Sequence, residues 1–270
     1  MAIETYKYDG KRVLVIGGAT GMGSATAKCV QELGAEVIVM DVADILYKTA
    51  QSIKIDLSKL DSVNAALNQI SEPVQAVFSC AGVPDGVPPI MKINFISQRY
   101  IIEQLVERKL LSRGGAITMI SSAAGLAWMQ NLPQLLEFLS VSDWQKASDW
   151  VDAHEGTNSY MFSKQAMCAY VANKSLEFLK KGIRINSILP GPTDTPLARA
   201  NADVWLGFGT AYRKEAGIEP LTIEQIGHVM AFFCSDAASG ISGVNMLVDQ
   251  GHISAATSGA FDDPDFAVLS

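Results

Sequence analysis

Two side chains that can move a proton, Tyr160 and Lys164, stand four positions apart in this sequence. At that spacing both lie on one face of a helix. A free tyrosine has a pKa of about 10 and is a poor base at neutral pH, but a neighbouring ammonium favours the phenolate and lowers that pKa. The pair could then exchange a proton with an alcohol or carbonyl oxygen. The same spacing also occurs by chance in ordinary surface pairs, so these two residues alone leave both interpretations open.

A third polar group, Ser122, comes directly after the apolar run 116–121, which predicts a strand. The carboxyl ends of strands form the binding crevice in an open α/β sheet. A hydroxyl there can donate a hydrogen bond to a substrate oxygen on which negative charge develops. A serine-rich turn is the alternative interpretation, and the neighbouring Ser121 is a rival for the same role.

A glycine-rich turn at 17–23 follows the first apolar run and precedes a predicted helix, with the spacing G-x-x-x-G-x-G. Such a turn lets a pyrophosphate approach the helix N–H groups, although a simple tight turn is the alternative. Asp41 ends the second predicted strand, 18 positions after Gly23. An acid there accepts hydrogen bonds from adenosine ribose hydroxyls and repels a 2′-phosphate, which favours NAD over NADP. Because Asp44 follows closely, Asp41 could instead be a turn residue.

The elements that must position these residues alternate along the chain. Apolar runs predict strands at 11–17, 36–41, 52–55, 74–79, 116–121, 183–189 and 244–249, and amphipathic spacing predicts helices at 21–33, 59–70, within 89–111, at 158–181 and at 222–235. Continuous apolar strands separated by helices are typical of a parallel sheet covered on both faces. We therefore predict an α/β fold: a single doubly wound, Rossmann-like domain over 1–270, with a seven-stranded parallel sheet between helix layers.

Two long stretches interrupt this alternation. The first, 126–157, is predicted as an insertion before the helix of Tyr160, and its part 131–153 has helical apolar spacing. The second, 192–221, is rich in Gly, Pro and Ala and is predicted as a substrate lid, since long connections in compact domains are usually functional. Trp128, Trp205 and Phe208 are the candidate walls of a substrate pocket, and they could equally fill the core or a subunit contact.

Composition narrows the function classes. Of the 270 residues 49% are hydrophobic and 18% are charged, and the formal net charge of −7 disfavours binding to nucleic acid or to an anionic membrane. The four cysteines form no C-x-x-C pair and the three histidines are scattered, so no metal site is expected. No apolar run approaches the roughly 20 residues of a membrane helix, and the polar N-terminus predicts no signal peptide. We expect a cytoplasmic protein.

Taken in order, these motifs resemble the short-chain dehydrogenase/reductase (SDR) superfamily over almost the whole chain. The glycine turn is similar to that family's T-G-x-x-x-G-x-G, with Ile16 in place of the threonine. The resemblance implies a catalytic set of Asn94, Ser122, Tyr160 and Lys164. It implies a cofactor-binding set of Gly17, Thr20, Gly21, Met22, Gly23, Asp41, Asp56, Leu57, Cys80, Ala81, Gly82, Pro190, Gly191, Thr193 and Thr195, together with Tyr160 and Lys164.

Besides Ile16, two further departures mark this chain as an atypical member. Ser79-Cys80-Ala81-Gly82 stands where many members have N-N-A-G, and Cys80 cannot supply the hydrogen bonds of an asparagine amide. Ser122 and Tyr160 lie 38 positions apart, a longer gap than in most relatives. A similar insertion and a similar cysteine are found in bacterial 3α-hydroxysteroid dehydrogenase/carbonyl reductase, the branch that this pattern resembles most.

The resemblance implies an NAD-dependent enzyme that interconverts a secondary alcohol and a ketone on a hydrophobic skeleton of hydroxysteroid, terpenoid or aryl alcohol type. It also implies a homodimer or homotetramer. Two alternatives are a non-catalytic NAD-binding regulator and an SDR that acts on another, polar substrate class. A sugar-nucleotide epimerase shares Y-x-x-x-K but needs a larger C-terminal substrate domain than the residues after 221 provide.

Overall fold

A computed structural model describes residues 3–263, and seven parallel strands form its central sheet. The strands are β1 Arg12–Ile16, β2 Glu36–Asp41, β3 Gln51–Lys54, β4 Val74–Ser79, β5 Leu111–Ile120, β6 Arg184–Pro190 and β7 Asn245–Val248. Their order is β3-β2-β1-β4-β5-β6-β7, so the direction of winding reverses between β1 and β4. The predicted seven-stranded parallel sheet is confirmed. Ligands bind at such a reversal point, beyond the carboxyl ends of the strands.

Helices cover both faces of the sheet. They are α1 Gly21–Glu32, α2 Leu60–Leu67, α3 Ser97–Glu107, α4 Leu132–Ser140, α5 Trp144–Ala153, α6 Tyr160–Lys180, α7 Pro196–Ala200, α8 Ala202–Trp205, α9 Thr210–Ala216, α10 Ile223–Cys234 and α11 His252–Thr257. Two buried apolar clusters result, one on each face: the first includes Phe95 and Tyr170, and the second includes Val30 and Phe233. No helix within residues 3–263 has the length and apolarity to cross a membrane.

The insertion 126–157 folds as two helices and not as one continuous helix over 131–153. The chain leaves α4 after Ser140, and the Asp143 carboxylate accepts a hydrogen bond from the Lys146 N–H to begin α5. The apolar spacing continues through this break, so periodicity alone could not locate it. The buried guanidinium of Arg99 on α3 donates to the Leu139 and Val141 carbonyl oxygens and so fixes the end of α4.

Aromatic side chains attach this insertion to the rest of the fold. The ring of Phe138 on α4 lies 5.6 Å from Phe95, 5.1 Å from Trp150 and 5.7 Å from Phe162 on α6. Such tilted ring contacts add to the stabilisation that area burial provides. The insertion therefore packs directly against the helix that carries Tyr160.

Candidate active site

Tyr160 and Lys164 lie in the first two turns of α6, on one face. The Ser159 side chain caps this helix by accepting a hydrogen bond from the Phe162 N–H at 3.2 Å. The cap fixes where the helix begins, and so fixes Tyr160 at its first position. The Lys164 ammonium lies 5.3 Å from the centre of the Tyr160 ring.

The Lys164 side chain is buried, and its Nζ donates to the carbonyl oxygen of Ile120 at 2.9 Å. Ile120 is the last residue of β5, so this bond joins α6 to the carboxyl end of the sheet. Burial lowers the pKa of Lys164 to about 8, because a charged ammonium is costly to remove from water. At neutral pH the group remains mostly cationic.

The pKa of the Tyr160 hydroxyl is raised to about 12, not lowered as the sequence predicts. Burial is the largest cause; a hydrogen bond with Ser122 lowers the pKa, and the Asp85 carboxylate raises it. Desolvation dominates because it acts directly on the phenolate, while the Lys164 ammonium is directed to the Ile120 carbonyl oxygen. Without a cofactor, Tyr160 therefore holds its proton at neutral pH.

Ser122 and Ser121 point in different directions. Ser122 lies two residues beyond β5, where its Oγ accepts from the Ala124 N–H at 3.2 Å, and its hydroxyl meets that of Tyr160. Ser121 is buried and donates to the Lys164 carbonyl oxygen at 2.9 Å. Ser122, and not its rival, is therefore beside Tyr160.

Asn94 connects the loop after β4 to α6. It lies fully buried in a π-helical turn, Lys92–Ile96, which precedes α3. Its Oδ1 accepts from the Val83 N–H at 2.8 Å, and its Nδ2 donates to the Val83 carbonyl at 3.0 Å and to the Ser163 hydroxyl at 3.2 Å. The loop is thereby held beside Lys164, whose Nζ would lie 3.6 Å from a Cβ placed on Gly82.

Gln98 supplies the hydrogen bonds that Cys80 cannot make. Its Nε2 donates to the carbonyl oxygens of Ala81, Ile93 and Asn94 at 3.0, 2.9 and 2.9 Å, and its Oε1 accepts from the Ser79 hydroxyl. Gln98 was not among the predicted site residues. Its position four residues after Asn94, which places a second amide on the same helix face, was the available signal.

The glycine turn packs closely against this loop. A Cβ on Gly17, whose φ is +81°, would lie 2.5 Å from the Ala81 backbone, and one on Gly23 would lie 2.0 Å from the Gly17 carbonyl oxygen. Thr20 precedes α1 without forming a side-chain cap. The first N–H groups of this 12-residue helix are therefore available to an anion.

A cavity of about 470 Å³ extends from this turn along the carboxyl ends of β1, β2 and β4. Its lining includes Gly17, Thr20, Gly21, Met22, Gly23, Asp41, Asp56, Leu57, Cys80, Ala81, Gly82 and Thr195. Twelve of the residues expected from the resemblance to bind the cofactor thus line one cavity, and one of them, Gly82, lies close to the Lys164 ammonium.

The carboxylates of Asp41 and Asp56 both line that cavity, but they have different partners. Asp41 is fixed by two N–H groups, with Ala19 donating to Oδ2 at 2.8 Å and Ala43 to Oδ1 at 2.8 Å. Asp56 pairs with Lys59 at 2.8 Å, and hydrogen bonds from Lys59 and Ser58 lower the pKa of its carboxyl. The close-packed glycine turn, the open helix end and the fixed Asp41 together fit a nicotinamide dinucleotide.

The segment after β6 approaches the glycine turn from the other side. A Cβ on Gly191 would lie 2.9 Å from the Asp249 Cβ, so Pro190-Gly191 runs close to the end of β7. Thr193 donates its hydroxyl to the Gly191 carbonyl oxygen at 2.9 Å. The Thr195 side chain caps α7 and lies 3.7 Å from a Cβ placed on Gly21.

The three aromatic residues predicted to line the substrate pocket lie in different surroundings. Trp205 lies with its ring centre 5.2 Å from that of Tyr160. Phe208 contacts His252 at 5.1 Å, and Trp128 packs against the apolar cluster that includes Phe95. Only Trp205 of the three is in ring contact with Tyr160 among the contacts of the described residues.

Asp85 is a second site group that was not among the predicted residues. Its Oδ1 accepts a hydrogen bond from the Tyr160 backbone N–H at 2.7 Å. No local pattern marks this residue, because its partner is 75 positions away. Within residues 3–263, no three His, Cys, Asp or Glu side chains come together as metal ligands would.

Comparison with known proteins decides the family. Residues 11–134 match the family model described as short chain dehydrogenase, and residues 148–252 match the model described as enoyl-(acyl carrier protein) reductase. The chain belongs to the short-chain dehydrogenase/reductase superfamily. It is an oxidoreductase of a family that binds a nicotinamide cofactor. The stretch between the two matches lies inside the insertion of this SDR chain.

Similar proteins match over nearly their full lengths. Coniferyl-alcohol dehydrogenase of Pseudomonas sp. (strain HR199) is 26% identical over 89% of this chain and 96% of its own. The 3-alpha-hydroxysteroid dehydrogenase/carbonyl reductase of Comamonas testosteroni is 24% identical over 88% and 95%. The 3-alpha-hydroxysteroid dehydrogenase from Pseudomonas sp. B-0831, solved in complex with NADH, shares the fold with a TM-score of 0.73, 23% identity and coverage of 92% and 98%.

Proposed function

We propose that this SDR uses NAD to interconvert a secondary alcohol and a ketone on a hydrophobic substrate. One observation carries the proposal: the hydroxyls of Ser122 and Tyr160 meet at one point, with the Lys164 ammonium on the next turn of α6. The same ammonium lies close to Gly82, which lines the cavity. A substrate oxygen held by both hydroxyls would stand where a proton can be given or taken.

In reduction, Ser122 donates a hydrogen bond to the substrate oxygen while Tyr160 transfers its proton to it. Because the pKa of Tyr160 is about 12, its hydroxyl is protonated at neutral pH and can act as the general acid. A nicotinamide held in the cavity would supply the hydride in this direction and accept it in the other. In oxidation Tyr160 must act as a phenolate, which the positive charge of Lys164 favours. Asn94 holds the adjacent loop through Val83 and so keeps the space next to Lys164 fixed.

The proposed choice of NAD rests on Asp41. Its two oxygens accept hydrogen bonds from the Ala19 and Ala43 N–H groups at the end of β2. The remaining lone pairs of these oxygens can accept hydrogen bonds from the ribose hydroxyls. A 2′-phosphate would meet like charge there. In this proposal the glycine turn holds the pyrophosphate and the Asp56-Leu57 backbone borders the adenine. The segment from Pro190 to Thr195 would border the nicotinamide.

The proposed substrate class rests on the surroundings of Tyr160. Trp205 places an apolar ring next to the phenol. Two of the similar proteins are named for coniferyl alcohol and for a 3α-hydroxysteroid, and the second of these is a secondary alcohol on a hydrocarbon skeleton. We also infer a homo-oligomer, as the family resemblance implies. Because α4 packs against α6, the subunit interface is expected to differ from one in which the surface of α6 is uncovered.

A substrate screen tests the proposal. Purified protein is incubated with NAD⁺ or NADP⁺ and a panel of steroid, terpenoid and aryl alcohols, and NADH or NADPH absorbance is followed. We expect turnover with at least one alcohol and a higher kcat/KM with NAD⁺ than with NADP⁺. Tight NADH binding without turnover of any alcohol would favour the non-catalytic regulator. Comparable kcat/KM with both cofactors would contradict the role of Asp41.

A further inference from the structure

His252 is a buried side chain that the proposed chemistry does not use. It begins α11, four positions after the last residue of β7, and its Nε2 lies 2.7 Å from the Oδ2 of Asp263. The side chains of His252 and Asp263 are 3% and 0% exposed. A buried, hydrogen-bonded pair of this kind is costly to form unless its geometry is fixed. It ties together the two ends of residues 252–263, which we call the C-terminal segment.

The C-terminal segment is anchored to the sheet. The Asp249 carboxylate accepts hydrogen bonds from the Gly251 N–H at 3.0 Å and from the Ile253 N–H at 2.9 Å. The Ile253 side chain is buried. The position of His252 is therefore set by the end of β7.

The imidazole of His252 contacts the lid 192–221 at three places. Its ring stacks on Tyr212 with centres 4.8 Å apart and an interplanar angle of 21°, and it lies 5.1 Å from Phe208. A Cβ on Gly209, whose φ is +66°, would lie 2.5 Å from its Cε1. The lid backbone at Gly209 thus rests directly on the imidazole, at a position where only glycine leaves room.

Two further contacts join the same surfaces. The Tyr212 hydroxyl donates to the Gln250 carbonyl oxygen at 3.0 Å, and the ring of Phe261 meets Tyr212 edge-on at 5.4 Å. The first half of α9 is therefore held by residues before and after His252.

The turn before α9 is rigidly joined to that helix. Arg213 on α9 donates to the Phe208 carbonyl oxygen at 2.7 Å and to the Leu206 carbonyl oxygen at 2.5 Å. Trp205, the last residue of α8, comes directly before this turn, and its ring lies 5.2 Å from Tyr160. A displacement of α9 away from His252 would therefore move the turn and carry Trp205 away from Tyr160.

We propose that His252, paired with Asp263, is a positioning residue for substrate binding: it holds the lid so that Trp205 stays against Tyr160. The inference rests on the proposed function in one respect, namely that the lid covers the substrate. His252 does not touch the reacting atoms. Its removal should weaken the binding of an apolar substrate and leave the chemical step nearly unchanged.

Kinetics of His252→Ala test this role. We expect KM for an apolar alcohol to rise about tenfold while kcat changes less than about twofold, since an interaction that serves binding alone appears in KM. Asp263→Asn retains a hydrogen-bonding side chain and should raise KM less. His228→Ala, on the exposed face of α10, is the matched control and should behave as wild type. An unchanged KM, or a loss confined to kcat, would overturn the proposal.

Limited trypsin digestion tests the lid contact without any turnover. Arg213 and Lys214 lie on α9, and cleavage there should be about tenfold faster in His252→Ala, because local opening governs proteolysis of folded segments. His228→Ala should be cleaved as slowly as wild type. Equal cleavage rates in His252→Ala and wild type would contradict the proposal. If wild type turned over no alcohol, the proposed function would fail, and these cleavage rates would still decide the lid contact.

A milder variant covers the case in which His252→Ala fails to fold. Tyr212→Phe removes one hydroxyl from a half-buried side chain and loses only the bond to the Gln250 carbonyl oxygen. It should shift cleavage and KM in the same direction by a smaller factor. A Tyr212→Phe protein identical to wild type in both measurements would count against the proposal.

Discussion

At the scale of single residues, the Tyr160 hydroxyl lies among groups that act on its pKa in opposite directions. Burial and the Asp85 carboxylate raise the pKa, and the Ser122 hydroxyl lowers it. Lys164 lies 5.3 Å from the ring centre but gives its hydrogen bond to Ile120. The proton on Tyr160 is therefore controlled by its surroundings as a whole and not by the lysine alone.

Tyr160→Phe tests the proton transfer that we propose. The substitution keeps the ring that packs on Trp205 and removes the hydroxyl, so the fold should be unaffected. We expect kcat to fall about 10³-fold, within the range that general acid–base catalysis contributes, while NADH affinity stays within about twofold. Stopped-flow kinetics and NADH fluorescence titration measure the two quantities. Near-normal turnover in this variant would remove Tyr160 from the mechanism.

Asp85→Asn separates charge from hydrogen bonding at the start of α6. The asparagine oxygen can still accept the Tyr160 N–H, but the negative charge that disfavours the phenolate is lost. The pKa of Tyr160 should therefore fall. The rate of oxidation, which needs the phenolate, should rise at a lower pH than in wild type, and reduction should lose its acid at a lower pH.

The pH dependence of kcat/KM in both directions measures this shift. Asp143→Asn is the matched control, because Asp143 also accepts an N–H at a helix start but caps α5 in the insertion. A pH profile of Asp85→Asn that superimposes on wild type would mean that the charge of Asp85 does not reach Tyr160.

At the scale of elements, the turn between β1 and α1 depends on two close backbone contacts. Gly17 lies against Ala81 and Gly23 lies against the Gly17 carbonyl oxygen, so neither site has room for a Cβ. These contacts bring the glycine turn and the loop after β4 to the same edge of the cavity. Gln98 holds that loop from behind by three carbonyl oxygens.

Gly23→Ala should displace this turn. The added Cβ would lie 2.0 Å from the Gly17 carbonyl oxygen, a backbone atom that cannot move aside. We expect a loss of about 1 to 3 kcal/mol of stability and at least a tenfold weaker NADH affinity. Gly240→Ala is the control, since a Cβ there meets no atom within 4 Å. Thermal melting and NADH titration compare them, and unchanged NADH affinity in Gly23→Ala would exclude the turn from cofactor binding.

At the scale of the whole molecule, Lys164 acts against the stability of the fold. Its pKa is about 8 in the folded protein and has an ordinary value of 10.5, because burial disfavours the ammonium. Below pH 8 the folded state carries the full cost of the buried charge. Between pH 8 and 10.5 the folded state loses its proton before the unfolded state does, so stability rises with pH.

Lys164→Met should therefore stabilise the protein while abolishing activity. The gain in the free energy of unfolding is expected to be up to about 3 kcal/mol at pH 7 and to vanish by about pH 10.5. Urea denaturation at both pH values measures it. A Lys164→Met protein that is less stable than wild type at pH 7 would show that the bond to Ile120 outweighs the desolvation cost.

Local sequence patterns were enough to locate several of the strands and the glycine turn. Strands β2 and β4 have the predicted bounds, because each is a short, mainly apolar run that ends at a polar residue. The glycine turn and Asp41 could also be located from the sequence, since both are recognised by their spacing along the chain. The prediction of a single domain over 1–270 and the roles of the site residues stay predictions.

The sequence by itself determined that seven strands form a parallel sheet, because apolar runs are a local property, and the resemblance to the family implied twelve of the residues that line the cavity. Tertiary structure decided the direction of the Tyr160 pKa, the choice of Ser122 over Ser121 and the division of the insertion at Asp143. It also decided the contacts of Asp85 and His252 with partners that no spacing rule connects to them. Burial and charge act through space, so their effects depend on which distant segments the fold brings into contact.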